Sequence, residues 1–216
     1  MGNGKWRMFT RLWIFVIVLL NALAALGRAP DASSHIATTC EEFERDAQFK
    51  PHKIVDSMWK IIYFWSDTTE VGPIIFSLIE EKRLNRFKAV IDALYPDLGV
   101  EWHKATAMME PRPGVQVLLL CGGTPGAFRA IIKMEQRDKE RPNPEPLIKM
   151  ADVRMKLKGR YIGMMCCEDL TAFVLVRTSE VPTTEKECVE AATSLGLKGP
   201  GGRSYIYIKN VTRNEL

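Results

Sequence analysis

Five cysteines are the residues of this 216-residue chain whose types are best suited to chemistry: Cys40, Cys121, Cys166, Cys167 and Cys188. Cys166 and Cys167 are adjacent, a placement that would suit a thiol catalyst or an isomerase. Neighbours on a strand point to opposite faces, so one of the two would face inward and one outward. Thiol catalysis needs a thiolate, and a thiolate near neutral pH needs a cation or an imidazole beside it. The three histidines, His35, His52 and His103, are scattered and none is near the cysteine pair in sequence. The chain has no CxxC, no metal-ligand spacing and no serine, histidine and carboxylate at a recognisable catalytic spacing. These residues therefore argue against an enzyme and call for no metal and no cofactor. What remains for the cysteines is cross-linking. Five is odd, so at most two bridges form within the chain and one thiol stays free or pairs outside it.

Cross-linking depends on compartment, and the first residues speak to that. "MGNGKWRMFTR" carries Lys5, Arg7 and Arg11, and the uncharged "LWIFVIVLLNALAALG" follows. A basic head, an apolar middle and a small-residue exit describe a secretory signal peptide, with cleavage expected after Gly27. The rival reading is a membrane anchor, but the apolar stretch is shorter than the ~20 residues a spanning helix needs. The expected organisation is a signal peptide over 1–27 and one domain over 28–216. The secretory lumen is oxidising, so cysteines there tend to pair. "NVT" at Asn210 is an N-glycosylation acceptor sequence, which makes a glycoprotein an expectation. The chain ends in "RNEL", which resembles the receptor-read lumenal retention signal ending in "DEL", with Asn214 in place of the usual aspartate. Secretion to the extracellular space is the first localisation, and the endoplasmic reticulum lumen the alternative. Apolar residues make up 46% and charged residues 26%, as in a globular protein with a full core. The net charge of +4 comes without a dense basic run interleaved with aromatics, which excludes nucleic acid as a partner.

The elements that would position these residues are mostly strands. "VDSMWKIIYFW", residues 55–65, is rich in aromatic and β-branched residues and too short for a typical buried helix. Strand alternation puts Trp59, Ile61, Tyr63 and Trp65 on one face and Met58, Lys60, Ile62 and Phe64 on the other. The second set carries lysine and so faces outward, yet Ile62 and Phe64 need a cover. Residues 74–95 repeat Leu84, Phe87, Val90, Ile91 and Leu94 at helical spacing among basic residues and stop at Pro96. Such a helix either packs on the outside of a sheet or serves as a lid, membrane or receptor contact. From Trp102 to Arg177, turn signals recur at intervals of about 8–12 residues, the pattern of an antiparallel sandwich or barrel. After Arg177, Thr184 and Glu187 are spaced for a capping box, Cys188, Ala192 and Leu195 share a face, and Gly196 ends the helix. "SYIYIKN" then reads as a last strand.

This order, a signal peptide, an aromatic strand, a meander, one helix and a short strand, resembles the lipocalin family. "SMW" is similar to that family's first-strand "GxW", with Trp59 in place. "VLVRTSEVPTTEKECVEAATSLGL" resembles its closing block, with Arg177 matching the arginine that ends the last barrel strand. "VRMKLKGRYIGMMCC" has the length of a family strand–turn–strand, with Tyr161 and Cys167 where tyrosine and cysteine are frequent. The resemblance implies an all-β, antiparallel, up-and-down eight-stranded barrel with a C-terminal α-helix, and the helical spacing of 74–95 adds, as a departure from the family, an extra helix in the first loop. It implies a floor closed by Arg177 stacked on Trp59, a contact worth ~0.5–2 kcal/mol. It implies a disulfide between Cys40 and Cys167, with Cys121 and Cys188 as a weaker pair. The function implied is a secreted carrier of one small hydrophobic ligand: a fatty acid, a retinoid-like or sterol-like molecule, or a pigment. Ile61, Tyr63, Trp65, Trp102 and Phe128 would line the cavity. A filled, structural barrel is the alternative.

Overall fold

The computed structural model describes residues 36–66, 72–136 and 145–207. The segment 1–27, His35, Asn210 and the terminal "RNEL" lie outside the described residues. Apolar runs, several of them buried on both faces, form strands β1 (Met58–Trp65), β2 (Pro73–Leu78), β3 (Ala105–Arg112), β4 (Val115–Cys121), β5 (Ala127–Met134), β6 (Leu147–Lys158), β7 (Tyr161–Cys166) and β8 (Thr171–Arg177). Strands β2 to β8 pair in chain order, and β1 pairs with both β8 and β2, all antiparallel. The expected eight-stranded up-and-down barrel is therefore closed. The stretch from Leu147 is one strand of 12 residues.

Three sequence expectations change in detail. The helical reading of 74–95 keeps its second part, α2 (Glu81–Leu94), while Pro73–Leu78 is strand β2. In β2 burial alternates with period two, with Ile74 and Phe76 buried and Ile75 exposed. The extra helix thus joins β2 to β3 instead of lying in the first loop. Among its described residues, "SYIYIKN" contributes Ser204 to a short strand β9 (Arg203–Ser204), after which Tyr205–Tyr207 turn into a helical conformation. The ring of Tyr205 lies 4.4 Å from Lys60 Nζ and its hydroxyl donates to the Pro182 carbonyl, contacts an extended strand would not make. Finally, β1 does not alternate throughout. Ile61 pairs with Leu175 and Tyr63 with Val174, so Ile62 is an extra residue, a β-bulge. Beyond the bulge the faces exchange. Phe64 joins the interior with Trp59 and Ile61, while Ile62, Tyr63 and Trp65 pack outside.

The outer wall is covered on two sides. Helix α3 (Glu185–Ser194) has a reciprocal capping box between Thr184 and Glu187, and Gly196 follows it at φ +82°. Its buried face, Cys188, Ala191 and Ala192, meets Ile62, Val174 and Val176 on β1 and β8. On the other side Phe87 and Ile91 of α2 meet Met108, Leu118 and Ile131 on β3, β4 and β5. Each large buried side chain here, such as Phe87, Ile91 or Leu118, contributes about 1.5–3 kcal/mol over an exposed one. The lead-in is the third cover. Helix α1 (Cys40–Glu44) begins at the disulfide Cys40–Cys167, as expected, and its Phe43 rests on Gly163 of β7. A Cβ at Gly163 would lie 2.8 Å from the Phe43 ring, so this close approach requires glycine.

Candidate functional site

Trp59 and Arg177 are cross-strand partners at one end of the barrel. The Trp59 indole N–H donates to the Ile54 carbonyl at 2.7 Å, and the Arg177 guanidinium stands 4.9 Å from the indole centroid. Arg177 also donates to the Lys53 carbonyl at 3.1 Å and lies 3.9 Å from Glu180. The chain from Lys50 to Ser57 crosses beneath them, including a short 3-10 turn, Pro51–Lys53. Just before it, Phe49 enters the interior and meets the Phe128 ring edge-on at 5.4 Å. The Gln48 carbonyl, which accepts from Leu157 N–H at 3.0 Å, fixes that entry. This end is closed by packed side chains.

The opposite end carries the β3–β4 turn and the β7–β8 turn, and it opens on a cavity of about 550 Å³. Its inner wall is Ile61, Ile74, Met109 and Val117. Val115, Ile132, Met164 and Phe173 stand higher and are half-buried. Arg112 is the one charged side chain among the described residues lining it. Below the cavity Trp59, Phe76, Leu119 and Phe128 fill the interior.

Of the five residues expected to line a pocket, the structure brings Ile61 to this cavity. Phe128 faces the interior but belongs to the closed end. Tyr63 and Trp65 lie outside because the bulge at Ile62 turns them out, with their rings 5.0 Å apart and Trp65 Nε1 donating to the Gly199 carbonyl. A Cβ at Gly202 would fall 2.5 Å from the Tyr63 ring, so the C-terminal segment seats directly on this pair. Trp102 is also outside, on a 3-10 turn against the α2 cluster, with Lys88 Nζ 5.9 Å from its ring. The pairing of Cys121 with Cys188 is corrected as well. Cys121 is an exposed free thiol at the end of β4, and Cys188 is a buried free thiol on the inner face of α3. Burial, together with Glu185 and Glu187, pushes the Cys188 thiol up to about 11.

Reasoning from sequence missed Ile74, Met109, Val117, Ile132, Met164 and Phe173 as cavity residues. Alternation within each strand carried the signal, since Val115, Val117 and Leu119 share one face of β4, and Phe173 and Leu175 one face of β8. Cys166 sits at the mouth end of β7, partly buried against the interior cluster. Burial pushes its thiol up, and the nearby Asp169 and Glu168 charges add to this. A second crevice, about 540 Å³, lies between the β6–β7 turn and the end of α3. Its two ammonium groups are engaged as helix-end caps: Lys156 donates to the Arg45 carbonyl and Lys158 to the Ser194 carbonyl. Burial lowers the Lys156 pKa, which fits a group held against backbone and the Phe43 ring instead of standing in water. No protein-family model, no curated protein and no solved structure matches the chain.

Proposed function

We propose that this chain is a lipocalin-like binding protein of the secretory pathway that holds one small hydrophobic molecule in the mouth half of its barrel, and that it is not an enzyme. The observation that carries the reading is the apolar cavity of about 550 Å³ above an otherwise filled interior. A barrel of about eight strands has room for side chains or for one small ligand, and here the two halves divide those roles. Burying apolar ligand surface returns about 25 cal/mol per Å², so few polar groups are needed. The Cys40–Cys167 bridge fits an oxidising compartment, and secretion after signal cleavage is the localisation proposed with it. No described helix is long and apolar enough to cross a membrane. The outward side of α2, where Lys82 and Arg86 are exposed, is where a receptor or anionic membrane contact belongs. The non-enzymatic reading is supported by Cys166, whose raised pKa leaves it a poor nucleophile.

Native mass spectrometry of the protein from its own tissue, joined to uptake of an apolar fluorophore, tests the proposal. A bound small mass and 1:1 uptake are expected. Among Trp59, Trp65 and Trp102, Trp59 alone faces the interior, so its emission is the one to follow. Val117→Trp should fill the mouth and abolish uptake while the chain stays folded, because overpacking costs only ~1–3 kcal/mol. A clean apo mass with no uptake of fatty acids, retinoids or sterols would sink the carrier reading. The filled-barrel, structural reading, which the packed closed half favours, would then lead.

A further inference from the structure

We propose that the crevice between the lead-in, the β6–β7 turn and the end of α3 is a second binding site, which takes an acidic sugar through Arg45, Lys156 and Lys158. This goes beyond the carrier reading and does not depend on what the barrel holds. The sequence sets up the charge. In "RMKLKGR", residues 154–160, a basic residue recurs at every second position, and strand alternation puts Arg154, Lys156 and Lys158 on the outer face of β6. Their neighbours Val153, Met155 and Leu157 pack on the interior cluster. Arg154 is occupied by Glu44 of α1 at 2.7 Å. The two lysines are only partly occupied, because an ammonium has three N–H donors. Lys156 gives one to the Arg45 carbonyl at 3.1 Å and Lys158 gives one to the Ser194 carbonyl at 2.8 Å, which leaves both with donors for a ligand. Arg45 is exposed, and its guanidinium makes no hydrogen bond or ion pair with the described residues. Asp46 is the one acid among the described residues lining the crevice.

The chain itself holds the crevice open. The Gln48 carbonyl accepts from Leu157 N–H at 3.0 Å, and the two lysine bonds tie β6 to the lead-in and to α3. Gly159 and Gly196 line it, and a Cβ at either would meet nothing within 4 Å, so the backbone there is open to a ligand. Its volume of about 540 Å³ is far more than a bare sulfate or phosphate fills and falls in the range of small-molecule pockets. The rest of the lining accepts as well as donates. Thr193 and Ser194 donate their hydroxyl protons back to the Val189 and Ala191 carbonyls, which leaves their oxygens as acceptors. The Asp46 carboxylate and the Gln48 amide add further acceptors. An apolar ligand would desolvate these groups without replacing their water. A cation would face three like charges, and a bare anion would leave the acceptors unused. A sugar bearing a carboxylate or a sulfate answers both sets, with its anionic group on the cations and its hydroxyls on the acceptors.

Titration calorimetry of the intact chain tests this with a trisulfated heparin disaccharide, a heparin dodecasaccharide, inorganic sulfate at matched ionic strength, neutral cellobiose, and vesicles containing phosphatidylserine. Each is added to wild type, to the double variant Arg45→Gln with Lys158→Gln, and to a control double variant, Arg129→Gln with Lys186→Gln. The control removes the same charge from exposed positions elsewhere. Lys156 is left in place because it packs over the Phe43 ring. Thermal melting shows that all three proteins are folded. The disaccharide should bind wild type 1:1, and sulfate and cellobiose should each bind at least about tenfold more weakly. The Arg45, Lys158 variant should lose about tenfold or more, as two charge-assisted contacts allow, and the control should stay within about twofold. A dodecasaccharide that binds more tightly than its count of disaccharide units explains would support the site with a glycan chain as the source. Equal affinity per unit would support it with a free acidic sugar. Equal losses in the two double variants overturn the inference, because charge alone is then being read. Sulfate binding as tightly as the disaccharide overturns it on wild type alone, whatever the variants do. Vesicle binding that needs Arg45 and Lys158 while the sugars do not bind replaces it with an anionic lipid site, and binding of no probe overturns it outright. None of these outcomes touches uptake by the mouth cavity.

Discussion

At the closed end of the barrel, Trp59 is held by a hydrogen bond to Ile54 and covered by Arg177, with Phe49 and Phe128 edge to face beside it. At the mouth, Phe173 and Met164 stand half-buried around empty space. The same strands build both ends. Strand β4 supplies Leu119 to the packed half and Val117 to the cavity, and β8 supplies Leu175 and Phe173 in the same way. Ring closure therefore does not decide which end is filled. The lead-in decides it, because Phe49 and the 50–57 crossing plug one end. The mouth, among the described residues, has the turns at 113–114 and 167–170.

Removing the plug should have the largest effect. Trp59 is 0% exposed, and Trp59→Ala should cost about 3–5 kcal/mol in chemical denaturation, as for other large buried aromatics. Arg177→Ala should cost about 1–3 kcal/mol, through the lost stacking and the Lys53 carbonyl left without its donor. Neither should change the affinity of a mouth ligand in the fraction that remains folded. If both variants melt like wild type, the closed end is not what holds the barrel, and the contrast between the ends fails.

A matched pair of phenylalanines sharpens the contrast. Phe128 is 4% exposed and fully enclosed, so Phe128→Ala should cost about 3–4 kcal/mol. Phe173 already faces the cavity, and losing its ring leaves space that water can enter, so Phe173→Ala should cost about 1–2 kcal/mol. Ligand uptake should reverse the order, with Phe173→Ala altering affinity and Phe128→Ala leaving it near wild type. Equal stability losses at both sites would mean that the mouth is as tightly packed as the floor.

The closed end was the more legible of the two in the sequence. Trp59, Arg177 and the capped helix after it are few residues with strong chemical identity, and each lies where local pattern and resemblance put it. The Cys40–Cys167 bridge followed from the same resemblance. The mouth was not legible, for two physical reasons. One extra residue in a strand exchanges its faces, and nothing in "KIIYFW" marks Ile62 as the bulge, because the residues on both sides are apolar. The lining is also made of ordinary aliphatic and methionine side chains, whose membership of a cavity instead of a core depends on which end they occupy. Phe49 escaped notice because it is a lone aromatic in a polar lead-in, and only the chain's path beneath the barrel gives it a task. Strand β2 was absorbed into a helix reading because "IIFSLIEE" runs straight into a true helical repeat.

The smallest effect expected is chemical rather than structural, and it reads the two ends through their free thiols. Cys121 is exposed at the closed end, Cys166 is half-buried at the mouth, and Cys188 is fully buried on the inner face of α3. The thiolate is the reacting species, so both access and pKa set the rate of alkylation. Cys121 should react first and Cys166 more slowly, since burial raises its pKa. Cys188 should react only as the protein opens. An occupant of the mouth should slow Cys166 further and leave Cys121 unchanged, with no measurable loss of stability in either state. Peptide mapping after timed alkylation, with and without ligand, checks this. Ligand protection of Cys121 instead would move the binding site to the wrong end. Cys188 adds a pH limit. Its ordinary value is 9.0 and its folded value is about 11. Between the two the unfolded chain has released a proton that the native state keeps, so stability falls as pH rises through that window. Burial raises Tyr63 and Tyr205 as well, which places further loss on the alkaline side. Tyr63 on β1, Cys188 on α3 and Tyr205 after β9 all belong to the outer cluster under α3, separate from the interior cluster that holds Trp59. Alkaline loosening should therefore expose Cys188 to alkylation before it weakens the Trp59–Arg177 floor, and a Trp59 emission change that precedes Cys188 labelling would reverse that order.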